Sequence, residues 1–147
     1  MAGQGLTRSV RQFLEWTRLA SLNPNRITAM PESIADEAQG DSDTMYRLGY
    51  YQLGQGEWLE AILPESPQAY WSLHAYNHWC ESLPGAGRHD RNAAPDADGR
   101  IRIAIGPDAP IDARNRIDTL GRRRGVLLFR AIGDEAASIP EVILRRA

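Results

Sequence analysis

Tyr70-Trp71-Ser72-Leu73-His74-Ala75-Tyr76-Asn77-His78-Trp79-Cys80-Glu81-Ser82-Leu83 begins with a strict alternation of large apolar and polar residues. Successive side chains of a strand point to opposite faces, so this pattern predicts a strand over Ala69–Asn77 with two unlike sides. Trp71, Leu73 and Ala75 form the side assigned to a core. Tyr70, Ser72, His74 and Tyr76 form the other, joined by His78 if the strand continues.

The flanking segments repeat the strand signal. Met45–Leu53 and Trp58–Leu63 lie on either side of Gly54-Gln55-Gly56, which predicts a hairpin. Pro64 and Pro67 bracket the next turn. Asp98-Gly99 is a turn dipeptide, and Arg100–Ile105 alternates with Ile101, Ile103 and Ile105 on one face. Gly125–Ile132 is almost continuously apolar, as expected of a central strand covered on both sides. Glu141–Arg145 follows Pro140 as a last short strand. Six to eight short strands with frequent Gly and Pro turns predict an all-β fold, a jelly-roll-like antiparallel β-sandwich over residues 44–147.

Residues 1–43 read as an N-terminal α-helix and an irregular connection packed on that sandwich. Leu6, Val10, Phe13, Leu14, Thr17 and Ala20 recur at helical spacing over 6–21 and form the face expected to dock. Ser9 and Gln12 offer a capping box that would start the helix slightly later, and Asn23-Pro24 should end it. Residues 23–43 are broken by Pro24, Pro31 and Gly40 and carry Asp36, Glu37, Asp41 and Asp43. They read as a solvated connection, with a short helix at 32–38 as the alternative.

A family resemblance rests on these segments in order: Gly49-Tyr50-Tyr51, Trp58-Leu59-Glu60, Tyr70-Trp71-Ser72, Asn77-His78-Trp79-Cys80-Glu81-Ser82-Leu83, Asp98-Gly99-Arg100, Asn115–Arg122 and Gly125–Arg130. Together they resemble the bacterial domain-of-unknown-function 1214 family over residues 44–145. The helix at 6–21 is similar to the segment preceding the domain in short members. The resemblance implies a jelly-roll-like sandwich and no established reaction. Two positions depart from the family pattern: Arg116 stands where members carry Trp, and Arg122 where they carry His. The loop 84–92 also differs.

Several constellations could carry chemistry. The row Tyr70, Ser72, His74 and Tyr76 suits the lining of a ligand cavity, or else an ordinary outer face. His74, His78 and Glu81 have helical metal-ligand spacing, but the strand reading separates Glu81 from the histidines, and Ala75 stands where a zincin has Glu. No metal or other cofactor is therefore expected. Glu81 beside Trp79 suits a general acid or base; alternatively Asn77 and Glu81 satisfy backbone groups where the strand ends. Asp118 can pair with an arginine or face a cavity, and Arg122, Arg123 and Arg124 could grip a carboxylate or phosphate. Asp96-Ala97-Asp98-Gly99 lacks the remaining ligands of a calcium loop and reads as a turn.

Bulk properties exclude several classes. The net charge is −2, which provides no global attraction to nucleic acid or anionic membrane. No apolar run approaches membrane-spanning length, and Arg8, Arg11, Glu15 and Arg18 interrupt any signal-peptide core. Cys80 is the only cysteine, so no intrachain disulfide forms and a cytoplasmic setting is expected. All 17 basic residues are arginine, which removes lysine chemistry.

The leading expectation is a sandwich binding a small, partly apolar molecule through Tyr70, Ser72, Tyr76, Asn77, Trp79 and Arg122. The second is a hydrolase, lyase or isomerase drawing an acid–base pair from His74, His78, Glu81 and Asp118. The third is an interaction module, forming a homo-oligomer through helix 6–21 or an edge strand.

Overall fold

The computed structural model describes residues 2–30, 44–63, 70–132 and 139–147. In chain order these form α1 (Ala2–Ser21), β1 (Arg26–Ala29), β2 (Met45–Gln52), β3 (Glu57–Leu63), β4 (Tyr70–Tyr76), β5 (Ser82–His89), β6 (Ile101–Ile105), β7 (Arg116–Ile117), β8 (Arg124–Ile132) and β9 (Glu141–Arg146). One sheet has the order β1-β2-β8-β4-β5 and the other β7-β6-β3-β9. Every pairing is antiparallel except β6 with β7. The chain is thus an all-β sandwich with an N-terminal helix.

The core lies between the sheets and follows the alternation of the strands. Tyr51, Trp71, Leu73, Ala75, Leu127, Phe129 and Ala131 of the five-stranded sheet face Leu59, Ala61, Leu63, Ile101, Ile103, Ile105 and Ile117 of the other. The strand at 70–76 therefore buries the residues its sequence pattern assigned to the core. β8 is the middle strand of its sheet. Its inner residues enter the core, while Val126 and Leu128 on its outer face pack beneath the helix. That two-sided cover explains its near-continuous hydrophobicity.

The predicted hairpin between β2 and β3 does not form. The two strands belong to different sheets, and Gly54-Gln55-Gly56 carries the chain from one to the other. Both flanks of the turn are held by other partners: the Leu53 amide donates to the Arg123 carbonyl, and the Gly56 amide to the Asp108 carboxylate. Gly56 has a positive φ of 75°, as the turn requires. The true hairpin is β4–β5, closed by residues 77–81. It contains a bulge, since His74 pairs with Gly87 but Tyr76 with Ser82. β1 and β7 also form within segments whose sequence reads as loop.

The helix begins at Ala2, earlier than the Ser9 capping box suggested, and ends before Pro24 as expected. Its docking face keeps Thr17 and Ala20 of the predicted stripe and adds Trp16 and Leu19. Trp16, Leu19 and Ala20 pack with Leu48, Tyr50, Val126 and Leu128 on the outer face of the five-stranded sheet, and Thr17 is buried. Val10, Phe13 and Leu14 remain substantially exposed. Only the last turns of the helix overlie β2 and β8, so only their residues find a surface to cover. No helix among the described residues is long and apolar enough to cross a membrane. The short helix considered at 32–38 and the Pro64–Pro67 turn lie outside the described residues.

One contact ties three adjacent strands together. The Tyr51 hydroxyl donates to the Tyr76 carbonyl (2.8 Å), passing over Gly125 on the strand between them. A Cβ on Gly125 would run into both the Tyr76 carbonyl oxygen and the Tyr51 phenol. Gly125→Ala is therefore expected to destabilise by about 3 kcal/mol, the upper range of overpacking. Tyr51→Phe should cost only about 1–2 kcal/mol, one buried hydrogen bond. Denaturant unfolding checks the order of the two. Burial also raises the Tyr51 pKa above its ordinary value of 10.0. Its contribution is complete below that value and is lost as pH rises toward the folded one. Stability should fall above pH 10, less steeply in Tyr51→Phe than in the parent.

Candidate functional site: the outer face of the five-stranded sheet

The strand register builds this face in cross-strand rows. Tyr46, Arg130, Ser72 and His89 stand in one row, on β2, β8, β4 and β5 respectively. Leu48, Leu128, His74 and Gly87 form the next. Tyr50 and Val126 continue the surface toward the helix. Because neighbouring rows lie on the same face, the sequence alternation of each strand contributes one column of the site.

Two open grooves lie on this surface. The first, about 450 Å³, runs between α1 and the sheet and is walled by Phe13, Trp16, Met30, Leu48, Val126 and Leu128. The second, about 540 Å³, lies toward β5 and is lined by Tyr70, Ser72, His74, Arg88 and His89 among others. Tyr76, Ser82, Leu128 and Arg130 line both, so the two adjoin. The result is an apolar trough under the helix that opens onto a polar one.

Arg130 stands at the junction. Its guanidinium lies 5.8 Å from the centroid of the Tyr46 ring, a cation–π contact. No carboxylate among the described residues pairs with it. Burial pushes the Tyr76 hydroxyl above its ordinary pKa, and Arg130 offsets part of that rise. Cys80 borders the apolar trough, where burial raises its thiol pKa. It therefore stays a neutral thiol at neutral pH and is a poor nucleophile.

His74 is fixed from two sides. Its ring lies over Gly87, where an added Cβ would collide with Nδ1. Its Nε2 is 3.0 Å from the Leu83 carbonyl oxygen and 2.9 Å from the Ser82 hydroxyl. A carbonyl can only accept, so Nε2 carries the proton. In that tautomer Nε2 cannot take a proton from Ser82, and the pair is not an activated nucleophile.

The sequence row Tyr70, Ser72, His74 and Tyr76 lines one groove, but the other candidates lie elsewhere. The strand ends at Tyr76, so His78 does not extend its row. Asn77 turns the chain instead: its Oδ1 accepts the amides of Trp79 and Glu81, both at 2.9 Å, and its Nδ2 donates to the Glu81 carboxylate. Asn77 and Glu81 thus serve the turn. His78 Nδ1 bonds the Tyr50 hydroxyl (2.7 Å). Asp118 accepts the Leu120 amide and pairs with Arg116 (3.3 Å). No hydrogen bond or ion pair among the described residues joins any two of His74, His78, Glu81 and Asp118. Asn77, Trp79 and Arg122 line a separate groove with His78. Asp96 and Asp98 both grip Arg102, and the Gly99 amide donates to the Asp96 carbonyl across the turn; no metal-ligand cluster occurs among the described residues.

The chain matches no known family profile, and it matches no curated protein. Its fold recurs in solved structures. An uncharacterised protein from Burkholderia cenocepacia is 22% identical with a TM-score of 0.81, over 91% of this chain and 38% of that one. The VPA0106 protein from Vibrio parahaemolyticus is 16% identical with a TM-score of 0.55, over 90% of this chain and 42% of that one. This chain therefore spans about two fifths of each neighbour's length, and the likeness establishes the fold.

Sequence reasoning missed Trp16, Ser82, Arg88, Leu128 and Arg130. The last two were legible, since alternation along β8 puts Val126, Leu128 and Arg130 on the side opposite Leu127 and Phe129. Ser82 and Arg88 were hidden because Pro84 and Gly85 disguise β5 as a loop. A nitrogen-15 spectrum optimised for long-range imidazole couplings should show His74 protonated at Nε2. A dominant Nδ1-protonated form would contradict this geometry.

Proposed function

We propose that this protein binds a small amphiphile, with its apolar portion under α1 and an anionic or hydrogen-bonding head at Arg130. The observation carrying this reading is that the two grooves share Tyr76, Ser82, Leu128 and Arg130 as lining. An apolar trough beside a guanidinium that no carboxylate pairs with among the described residues suits a molecule with those same two halves. Desolvated apolar surface supplies affinity at roughly 25 cal/mol per Å², and the arginine supplies orientation. Ser72 and Tyr70 then offer hydroxyl groups beyond the head.

We further propose that the chain belongs to the domain-of-unknown-function 1214 family and works in a bacterial cytoplasm. The ordered motifs from Gly49 to Arg130 and the leading helix support the first point. The single cysteine and two bacterial neighbours of the same fold support the second.

Dodecanoate is a suitable probe because it pairs a flexible apolar chain with one carboxylate. Titration by calorimetry should show saturable binding at one site. Arg130→Gln should weaken it about tenfold, the loss of one charge-assisted hydrogen bond. Leu128→Glu should abolish it by placing a like charge on the groove floor. Unchanged affinity in both folded variants would overturn the reading.

A further inference from the structure

A separate groove of about 590 Å³ lies at one end of the sandwich, where the β4–β5 turn meets the loop entering β8. It is lined by Asn77, His78, Trp79, Gly121, Arg122, Arg123 and Arg124. No acidic residue lines it among the described residues. Glu81, the carboxylate of the turn, is held by Asn77. Two of the three guanidinium groups, those of Arg122 and Arg124, make no ion pair among the described residues, whereas Arg123 pairs with Asp108.

They are not equivalent. Arg123 is anchored, donating to the Gly54 carbonyl and the Asp108 carboxylate, both at 2.8 Å. Arg122 has only a long contact with the Leu120 carbonyl of its own loop (3.4 Å). The Arg124 side chain makes no hydrogen bond or ion pair among the described residues. Arg122 and Arg124 thus retain their donors for an external oxyanion.

The opposite wall is prepared in a different way. The Tyr50 hydroxyl holds His78 Nδ1 from beneath, and Tyr50 itself is 2% exposed. That leaves His78 Nε2 without a partner among the described residues. Trp79 is 61% exposed, although Asn77 rigidly fixes its backbone amide. A large indole held on a fixed turn beside free guanidiniums presents a stacking surface next to an anion subsite.

We propose that this groove is a second binding site, for a phosphate monoester carried on a planar ring, with the phosphate between Arg122 and Arg124 and the ring against Trp79. Two free guanidinium groups match a group bearing about −1.5 to −2 charges better than a single carboxylate. The site is independent of the amphiphile groove, with which it shares no lining residue.

Adenosine 5′-monophosphate is the probe, followed through the Trp79 indole N–H in nitrogen-15-labelled protein. Its resonance should shift saturably. Inorganic phosphate and adenosine alone should each bind about tenfold more weakly or worse, because each lacks one half of the interaction. The double variant R122Q/R124Q should lose at least about tenfold in affinity for the monophosphate, while its dodecanoate affinity stays unchanged. Absence of a saturable Trp79 shift, equal affinity for inorganic phosphate, or undiminished binding by a folded R122Q/R124Q would each overturn the proposal. Dodecanoate titration of the same samples reports the first groove separately, so failure at one site is distinguishable from failure at the other.

Discussion

The Tyr51 hydroxyl reaches across Gly125 to the Tyr76 carbonyl, and the five-stranded sheet is organised around that crossing. The contact fixes β2 and β4 on either side of β8 at the end where all three strands approach the turn regions. From that register the outer rows follow, because a slip of one residue would send Leu48, Leu128 and His74 into the core and Leu73 and Phe129 into solvent. The groove beneath the helix, the exposed guanidinium of Arg130 and the seating of His74 over Gly87 are consequences of the same alignment. A glycine is required at 125 for a steric reason, without any appeal to an unusual backbone angle.

The face on which chemistry could occur was legible wherever one strand sufficed to define it. Tyr70, Ser72, His74 and Tyr76 emerge from alternation alone, as do Trp71, Leu73 and Ala75 beneath them. What the sequence concealed was the choice of partners. Gly54-Gln55-Gly56 signals a reversal, and a reversal can join neighbours in one sheet or carry the chain between two sheets. The decision rests on Arg123 and Asp108, more than fifty residues away in sequence, which hold the flanks of the turn. β5 was concealed for a related reason. Its bulge puts Pro84 and Gly85 in the middle of a strand, and local propensity reads them as breakers. The helix face was misread because amphipathicity reveals a stripe without revealing how much of its length will find a surface.

The same non-local choices disperse the titratable candidates. Helical spacing brings His74, His78 and Glu81 together on paper, but the chain turns at Asn77 and sends each to a different partner: Leu83 and Ser82, Tyr50, and Asn77. His74 donates its Nε2 proton to the Leu83 carbonyl and thereby braces the β4–β5 hairpin. Arg116 and Arg122, the two positions where the sequence resemblance breaks, also separate. Arg116 reaches the Pro107 and Ala109 carbonyls as well as Asp118, whereas Arg122 keeps its donors toward the end groove. Arg116 serves the fold, and Arg122 contributes charge to a surface.

The proposed amphiphile site joins the trough under α1 to the polar groove beside β5. The most direct measurement is a crystal structure with 12-bromododecanoate, locating bromine by its anomalous scattering. The account predicts bromine against Trp16 and Leu48, with the carboxylate at Arg130. Bromine in solvent, in the core, or beside Trp79 with no occupancy under the helix would contradict it.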